Sequence, residues 1–211
     1  MRTLAIISQK GGAGKTTLAI NVSVAAERAT GGKVTIIDLD PQASAASWGD
    51  SREQASPAVI SAQASRLPQC LEGARKAGVQ FAIIDTAPHS ESAAIAAARA
   101  ADLVLIPCRP AILDLRAISN TVDLVKLAGT PAAVVLNSVP PRGSLADEAA
   151  EAIAGYDVPL VPVRITQRAG FVHSLTLGRS IQEYEPSGKG AQEIQQLYLW
   201  VCSTVNINKC D

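Results

Sequence analysis

The chain has 211 residues, 47% of them hydrophobic and only 3% aromatic, and its 19 basic and 19 acidic residues give a formal net charge of zero. That length suits one well-buried domain spanning 1–211, and the balance excludes a globally basic chain, so any DNA contact must come from a local patch or from oligomerisation. No apolar run approaches the ~18 residues of a membrane-crossing helix, and Met1-Arg2 before a short β-like run does not read as a secretory leader.

In chain order, TLAIIS (3–8) is a continuous apolar run, followed by a Gly-rich segment and a helical pattern over 15–29. KVTIIDLD (33–40) comes next, then a small, polar stretch over 41–58 with at best a weak helical pattern. A helix is expected over 65–77, then QFAIIDTAP (80–88), a helix over 90–101, DLVLIPC (102–108), a helix over 113–127 and PAAVVLNSV (131–139). A helix over 145–154, VPLVPVRI (158–165), a mixed basic and glycine-containing loop over 164–190 and a helix over 189–203 complete the chain. The apolar runs are continuous rather than alternating, as in strands buried on both faces. Their alternation with Ala-rich helical segments predicts an α/β, doubly wound, mostly parallel sheet flanked by helices. Cys70, Cys108, Cys202 and Cys210 show no C-x-x-C spacing and read as reduced, mostly buried thiols of a cytoplasmic protein.

The segment SQKGGAGKTT, residues 8–17, carries the strongest chemistry. It sits directly after the first strand and before a helix, where a phosphate loop belongs. Gly11, Gly12, Ala13 and Gly14 would turn backbone N–H groups toward an anion, Lys15 would reach the β- and γ-phosphates, and the Thr16 hydroxyl would ligate Mg²⁺. Thr17 is placed for the α-phosphate. The usual loop has glycine where this chain has Gln9, and the lysine at position 10 is extra. A chance Gly-rich turn is the plain alternative. Asp38, Asp40 and Asp85 end apolar runs at the edge where ligands bind in open α/β sheets. Asp38 and Asp85 are the candidates for holding Mg²⁺, directly or through water, and Asp40 for positioning the attacking water. Strand-ending aspartates also serve as turn formers or caps. His89, just past the third run, reads as loop-exposed rather than as a base.

Together, KGGAGKTT (10–17), DLDPQ (38–42) and DTAP (85–88) resemble the deviant Walker A motif, the second acidic motif and the Walker B region of the ParA/MinD ATPases. ITQR (165–168) and SIQEYEPSGKGA (180–191) are similar to the C-terminal part of small, ParF-like plasmid partition proteins. The resemblance implies a slow ATPase using ATP and Mg²⁺, and a homodimer that forms when ATP is bound. Lys10 is then the residue that reaches the partner's phosphates, a role that suits a cation stabilising charge in phosphoryl transfer. It also places Asn137 and the backbone at Val163 and Arg164 at the adenine.

The resemblance leaves the branch open. The loop starts by residue 10, so an N-terminal helix-turn-helix domain is not expected. The ending QQLYLWVCSTVNINKCD lacks the basic face of a membrane-binding helix, and isolated cysteines argue against an iron–sulfur cluster. The favoured expectation is a nucleoid-associated partition ATPase that binds DNA non-specifically and segregates plasmid or chromosome DNA through a small adaptor protein. Arg142, Arg168, Arg179 and Lys189 are its candidate DNA contacts, with Arg164 nearby, and solvated surface cations are the plain alternative. The other readings are an ATPase positioning a protein cargo (carboxysome, chemoreceptor array or secretion machine), a membrane-associated MinD-like ATPase and a metabolic P-loop ligase.

Overall fold

Five of the six apolar runs become strands in the structure, a computed structural model that describes residues 1–205. They are β1 (Arg2–Ile6), β2 (Val34–Asp38), β4 (Phe81–Asp85), β5 (Leu103–Cys108) and β6 (Ala132–Leu136), and β3 (Ala58–Ser61) is a short addition at one edge. The order across the sheet is β3-β2-β4-β1-β5-β6 and every pairing is parallel. Nine α-helices stand among the described residues: α1 (Lys15–Thr30), α2 (Ser44–Asp50), α3 (Leu67–Lys76), α4 (Glu91–Ala100), α5 (Ile112–Ala128), α6 (Leu145–Ala154), α7 (Ala169–Thr176), α8 (Ile181–Tyr184) and α9 (Lys189–Thr204). Cys210 and the last six residues of the C-terminal stretch lie outside the described residues.

Successive strand residues face opposite sides, and both sides are covered. Ala5 and Ile7 pack with Ile37, Ile84 and Val104 under α3 to α6, while Leu4 and Ile6 pack with Ile83, Leu105 and Val135 under α1 and α9. This explains why the runs carry no polar alternation.

Three expectations change. The run over 158–165 is not a strand. It lies along β6 with single bridges at Leu160 and Thr166, because Pro159 and Pro162 have no N–H to give to a ladder. The polar stretch 41–58 holds α2 and leads into β3, anchored by Trp48, which packs with Ile20, Val24 and Ile36. The segment 164–190 holds two short helices, α7 and α8, and the start of α9. A Ser180–Glu183 capping box starts α8.

The register sets up a site. Asp85 pairs with Ile6 on one side and with Asp38 on the other. The ends of β1, β2 and β4 are therefore level, and β1 leaves the sheet between β4 and β5. From there one connection runs to each side, which is where open α/β sheets form their crevice.

Candidate functional site

The loop between β1 and α1 is held in shape by left-handed glycines. Gly12 has φ 72° and Gly14 φ 90°, and a Cβ on Gly14 would overlap the Asn137 amide. That close approach has a purpose: Asn137 Nδ2, at the end of β6, donates to the Ala13 carbonyl at 2.7 Å. The Gln9 N–H donates to Thr121 Oγ1 of α5 at 3.3 Å. The loop is thus pinned from two sides. Its end, the N-terminus of α1, has no side-chain cap and no acidic residue in its first turn. The unpaired N–H groups and the helix dipole there favour an anion.

Lys15 is buried, and its Nζ donates to the Lys10 carbonyl at 3.3 Å. Burial lowers its pKa, opposed by the charges of Asp85 and Asp40. Thr16 Oγ1 donates to Asp85 Oδ2 at 2.6 Å, which leaves the hydroxyl lone pairs available. Asp85 is fully buried, and its Oδ1 has no hydrogen-bond partner among the described residues. Burial raises its pKa from 3.8 to about 7, with the Asp38 charge adding to the rise and the Thr16 hydrogen bond opposing it. An orphaned carboxylate oxygen beside a threonine hydroxyl fits a hard divalent cation, which takes oxygen ligands.

Asp38 and Asp40 stand in different surroundings. Both oxygens of Asp38 are occupied by backbone: Oδ1 accepts from Asp40 N at 3.0 Å, and Oδ2 from Ala45 N and Ala46 N at 3.0 and 3.1 Å. Asp38 thereby fastens the start of α2 and the turn carrying Asp40. Asp40 accepts from Gln42 N through Oδ1 and faces the crevice closely enough for its charge to act on Lys15.

Residues 4–179 match the CobQ/CobB/MinD/ParA nucleotide binding domain. The chain belongs to that family. One relative is the "maintenance of carboxysome distribution protein A" of Gloeobacter kilaueensis, 35% identical over 201 residues, 93% of this chain and 90% of that protein. A protein of the same name from Halothiobacillus neapolitanus is 29% identical, with 92% and 94% covered. Among solved structures, the septum site-determining protein MinD of Pyrococcus horikoshii in complex with Mg-ADP superposes with a TM-score of 0.76, covering 95% of each chain at 23% identity. At that identity the likeness speaks for the fold.

Against that family frame, the adenine candidates come together in space. Ile165 N donates to the Leu136 carbonyl and Val139 N to the Ile165 carbonyl, so Val163 and Arg164 run beside Asn137. Asn137 itself braces the loop, and the Arg164 side chain is turned to Asp147 at 2.7 Å. The DNA candidates do not form one cluster of like environment. Arg142, Arg179 and Lys189 are exposed. Arg168 is half-buried and bound to Glu193 at 2.7 Å, and the same carboxylate accepts from Thr166. Its charge is spent on joining the start of α7 to α9. His89 is exposed, with φ 57°.

Sequence reasoning missed Asn21. Its Nδ2 donates to the Thr17 carbonyl and its Oδ1 accepts from Ile181 N, both at 2.7 Å, tying the loop helix to α8. A fully buried asparagine inside the apolar run AINVSV was the available signal. Arg109 and Asp114 were also missed; nothing local marks them. No helix among the described residues is long and apolar enough to cross a membrane.

Proposed function

We propose that this chain is an Mg²⁺-ATP-dependent ATPase that dimerises with ATP bound and positions a protein assembly of the carboxysome kind. The observation that carries the reading is the division of labour between two lysines of one loop. Lys15 is turned inward, buried beside Asp85 and Asp40, whereas Lys10 lines an outer cleft beside Arg109. One cation serves the bound phosphates, and the other is presented outward for a second copy. Gly11, Gly12, Ala13, Gly14 and Thr17 supply the backbone cradle, Asn137, Val163 and Arg164 border the base, and Thr16 and Asp85 hold the metal. Asp38 acts by holding Asp40 and α2 in place, and Asp40 directs the water. When bound, Mg²⁺ neutralises developing charge on the phosphates. No strong base accompanies these residues, which supports a slow hydrolysis that a small adaptor protein stimulates.

The cargo reading is supported by the two relatives named for carboxysome distribution, and it displaces segregation of a plasmid or chromosome as the preferred one. Non-specific DNA remains the matrix we propose for the ATP-bound dimer, through exposed Arg142, Arg179 and Lys189, with Arg168 demoted by its ion pair. Sizing with Mg²⁺ and a non-hydrolysable ATP analogue tests the engine: the wild type dimerises, and Lys10→Ala binds the analogue as a monomer. Deletion in the source organism tests the cargo. Clumped protein assemblies with normal plasmid inheritance are expected, and plasmid loss with normally spaced assemblies would return the reading to DNA segregation.

A further inference from the structure

Arg109, the first residue past β5, is forked onto Asp114 of α5. Its Nε donates to Oδ1 at 3.0 Å and its Nη2 to Oδ2 at 3.3 Å. Asp114 is 5% exposed and the arginine side chain 40%, so a buried carboxylate aims a guanidinium that reaches solvent. The fork uses two of the three guanidinium nitrogens. The third, Nη1, makes no hydrogen bond within the described residues and stands over the phosphate loop, 3.9 Å from where a Cβ on Gly12 would lie.

Lys10 and Arg109 line the same open cleft, of about 500 Å³. Its walls include Pro110, Ile112, Leu113 and Leu145, and the last three are 63%, 62% and 48% exposed. Two cations and one buried carboxylate line the cleft and leave it net positive, so it suits an anion. A small free anion would satisfy the cations but leave three large apolar side chains in water. A second copy of this chain, presenting its own loop-bound triphosphate, meets both needs at once: it brings the anion and covers the apolar wall.

We propose that Arg109 is a second cation, beside Lys10, that contacts the triphosphate bound by a partner copy, with Asp114 as the residue that positions it. This rests on the ATP-dimer reading above. The fixed fork matters: a guanidinium already held by Asp114 loses less freedom on meeting a phosphate than a mobile lysine does. A triphosphate offers charge that a diphosphate lacks, so the contact favours the ATP-bound dimer over an ADP-bound one.

The test measures dimerisation by sizing or sedimentation with Mg²⁺ and a non-hydrolysable ATP analogue, and monomer affinity for the same analogue in a Lys10→Ala background. Arg109→Ala is expected to weaken the dimer at least tenfold while leaving monomer affinity within twofold. Arg109→Lys, which keeps a charge opposite Asp114, should recover part of the loss. It also stands in if removing the arginine unsettles the fold. Asp114→Asn should weaken the dimer by a smaller factor and flatten its salt dependence less than Arg109→Ala does. Unchanged dimerisation in both Arg109 variants overturns the proposal. So does an equal loss of monomer affinity, which would assign Arg109 to its own subunit's nucleotide. A wild type that stays monomeric with the analogue overturns the dimer reading itself, and this proposal with it.

Discussion

Thr16 donates its hydroxyl hydrogen to one oxygen of Asp85, at 2.6 Å, while the other oxygen of that fully buried carboxylate has no hydrogen-bond partner among the described residues. The pair joins the loop helix to the strand beside β1. It holds an acid whose ionised form the protein itself does not fully stabilise. In the proposed site, a cation with its waters would supply that partner.

A pH dependence follows from that pair. The Asp85 carboxyl titrates near 3.8 in the unfolded chain and near 7 in the folded one, so between these values the folded state keeps a proton that the unfolded chain has lost. Its contribution to stability is therefore full below pH 4 and lost as pH rises through about 7. Urea unfolding of the apo protein should show stability falling across that window, and Asp85→Asn should flatten the fall. Mg²⁺-nucleotide binding favours the ionised acid, so wild-type affinity should rise through pH 7 with release of a proton. The same slope in Asp85→Asn would discount this carboxyl.

Lys15 is the second buried charge without full compensation. Its Nζ has one carbonyl at 3.3 Å, and burial lowers its pKa despite Asp85 and Asp40. Replacing it with methionine removes a desolvated charge but keeps the stem packed. Apo Lys15→Met should melt no lower than wild type, yet lose nucleotide affinity by about 100-fold or ~3 kcal/mol. Differential scanning fluorimetry with and without Mg²⁺-ATP reads both effects. A retained ATP-dependent rise in melting temperature would remove Lys15 from the phosphate site.

What was legible in the sequence was local chemistry. Gly14, Lys15 and Thr16 must be neighbours in sequence to cradle a phosphate, and Asp85 ends its own strand, so pattern alone locates them. Asp38 was legible as an acid at a strand end but not as a brace, because two of its three partners are backbone groups seven and eight residues further on. The helix α2 was hidden because Ser44–Asp50 carries one large apolar residue, Trp48, and depends on packing against α1. The strandlike run over 158–165 misled because its composition is right and only Pro159 and Pro162 deny it a ladder. Arg109 was invisible because its meaning lies in a loop about 100 residues away in the chain.

The brace at Asp38 can be measured. Asp38→Ala removes three acceptor contacts from backbone N–H groups in a fully buried setting. Charged hydrogen bonds and helix caps of this kind place the loss at about 2–4 kcal/mol. Asp38→Asn, which keeps one acceptor oxygen, should lose less. Hydrogen exchange should show Ala45 and Ala46 amides opening faster in the alanine variant, while the amides of β6 keep their protection. Equal protection at Ala45 and Ala46 would mean that α2 is held by Trp48 alone.

The last prediction concerns the far end of α2, where Arg52 joins it to the segment after α7. The Arg52 side chain is 1% exposed, and it spans Ser56 O, Gly178 O and both oxygens of Glu183. Its guanidinium carbon lies 4.4 Å from the centre of the Trp48 ring. Burial pushes the Glu183 carboxyl up, but Arg52 and Ser180 together hold it below its usual 4.5. Its stabilising share is therefore present above that value and lost as pH falls through the lower, folded one. Arg52→Ala strands the carboxylate and the two carbonyls, which should cost about 3 kcal/mol. It should also flatten the acid limb of the stability profile below pH 4.5. Arg52→Lys keeps the charge but cannot fork, and should recover less than half. If Arg52→Ala unfolds at the wild-type urea midpoint, α2 and α8 are not coupled through this residue.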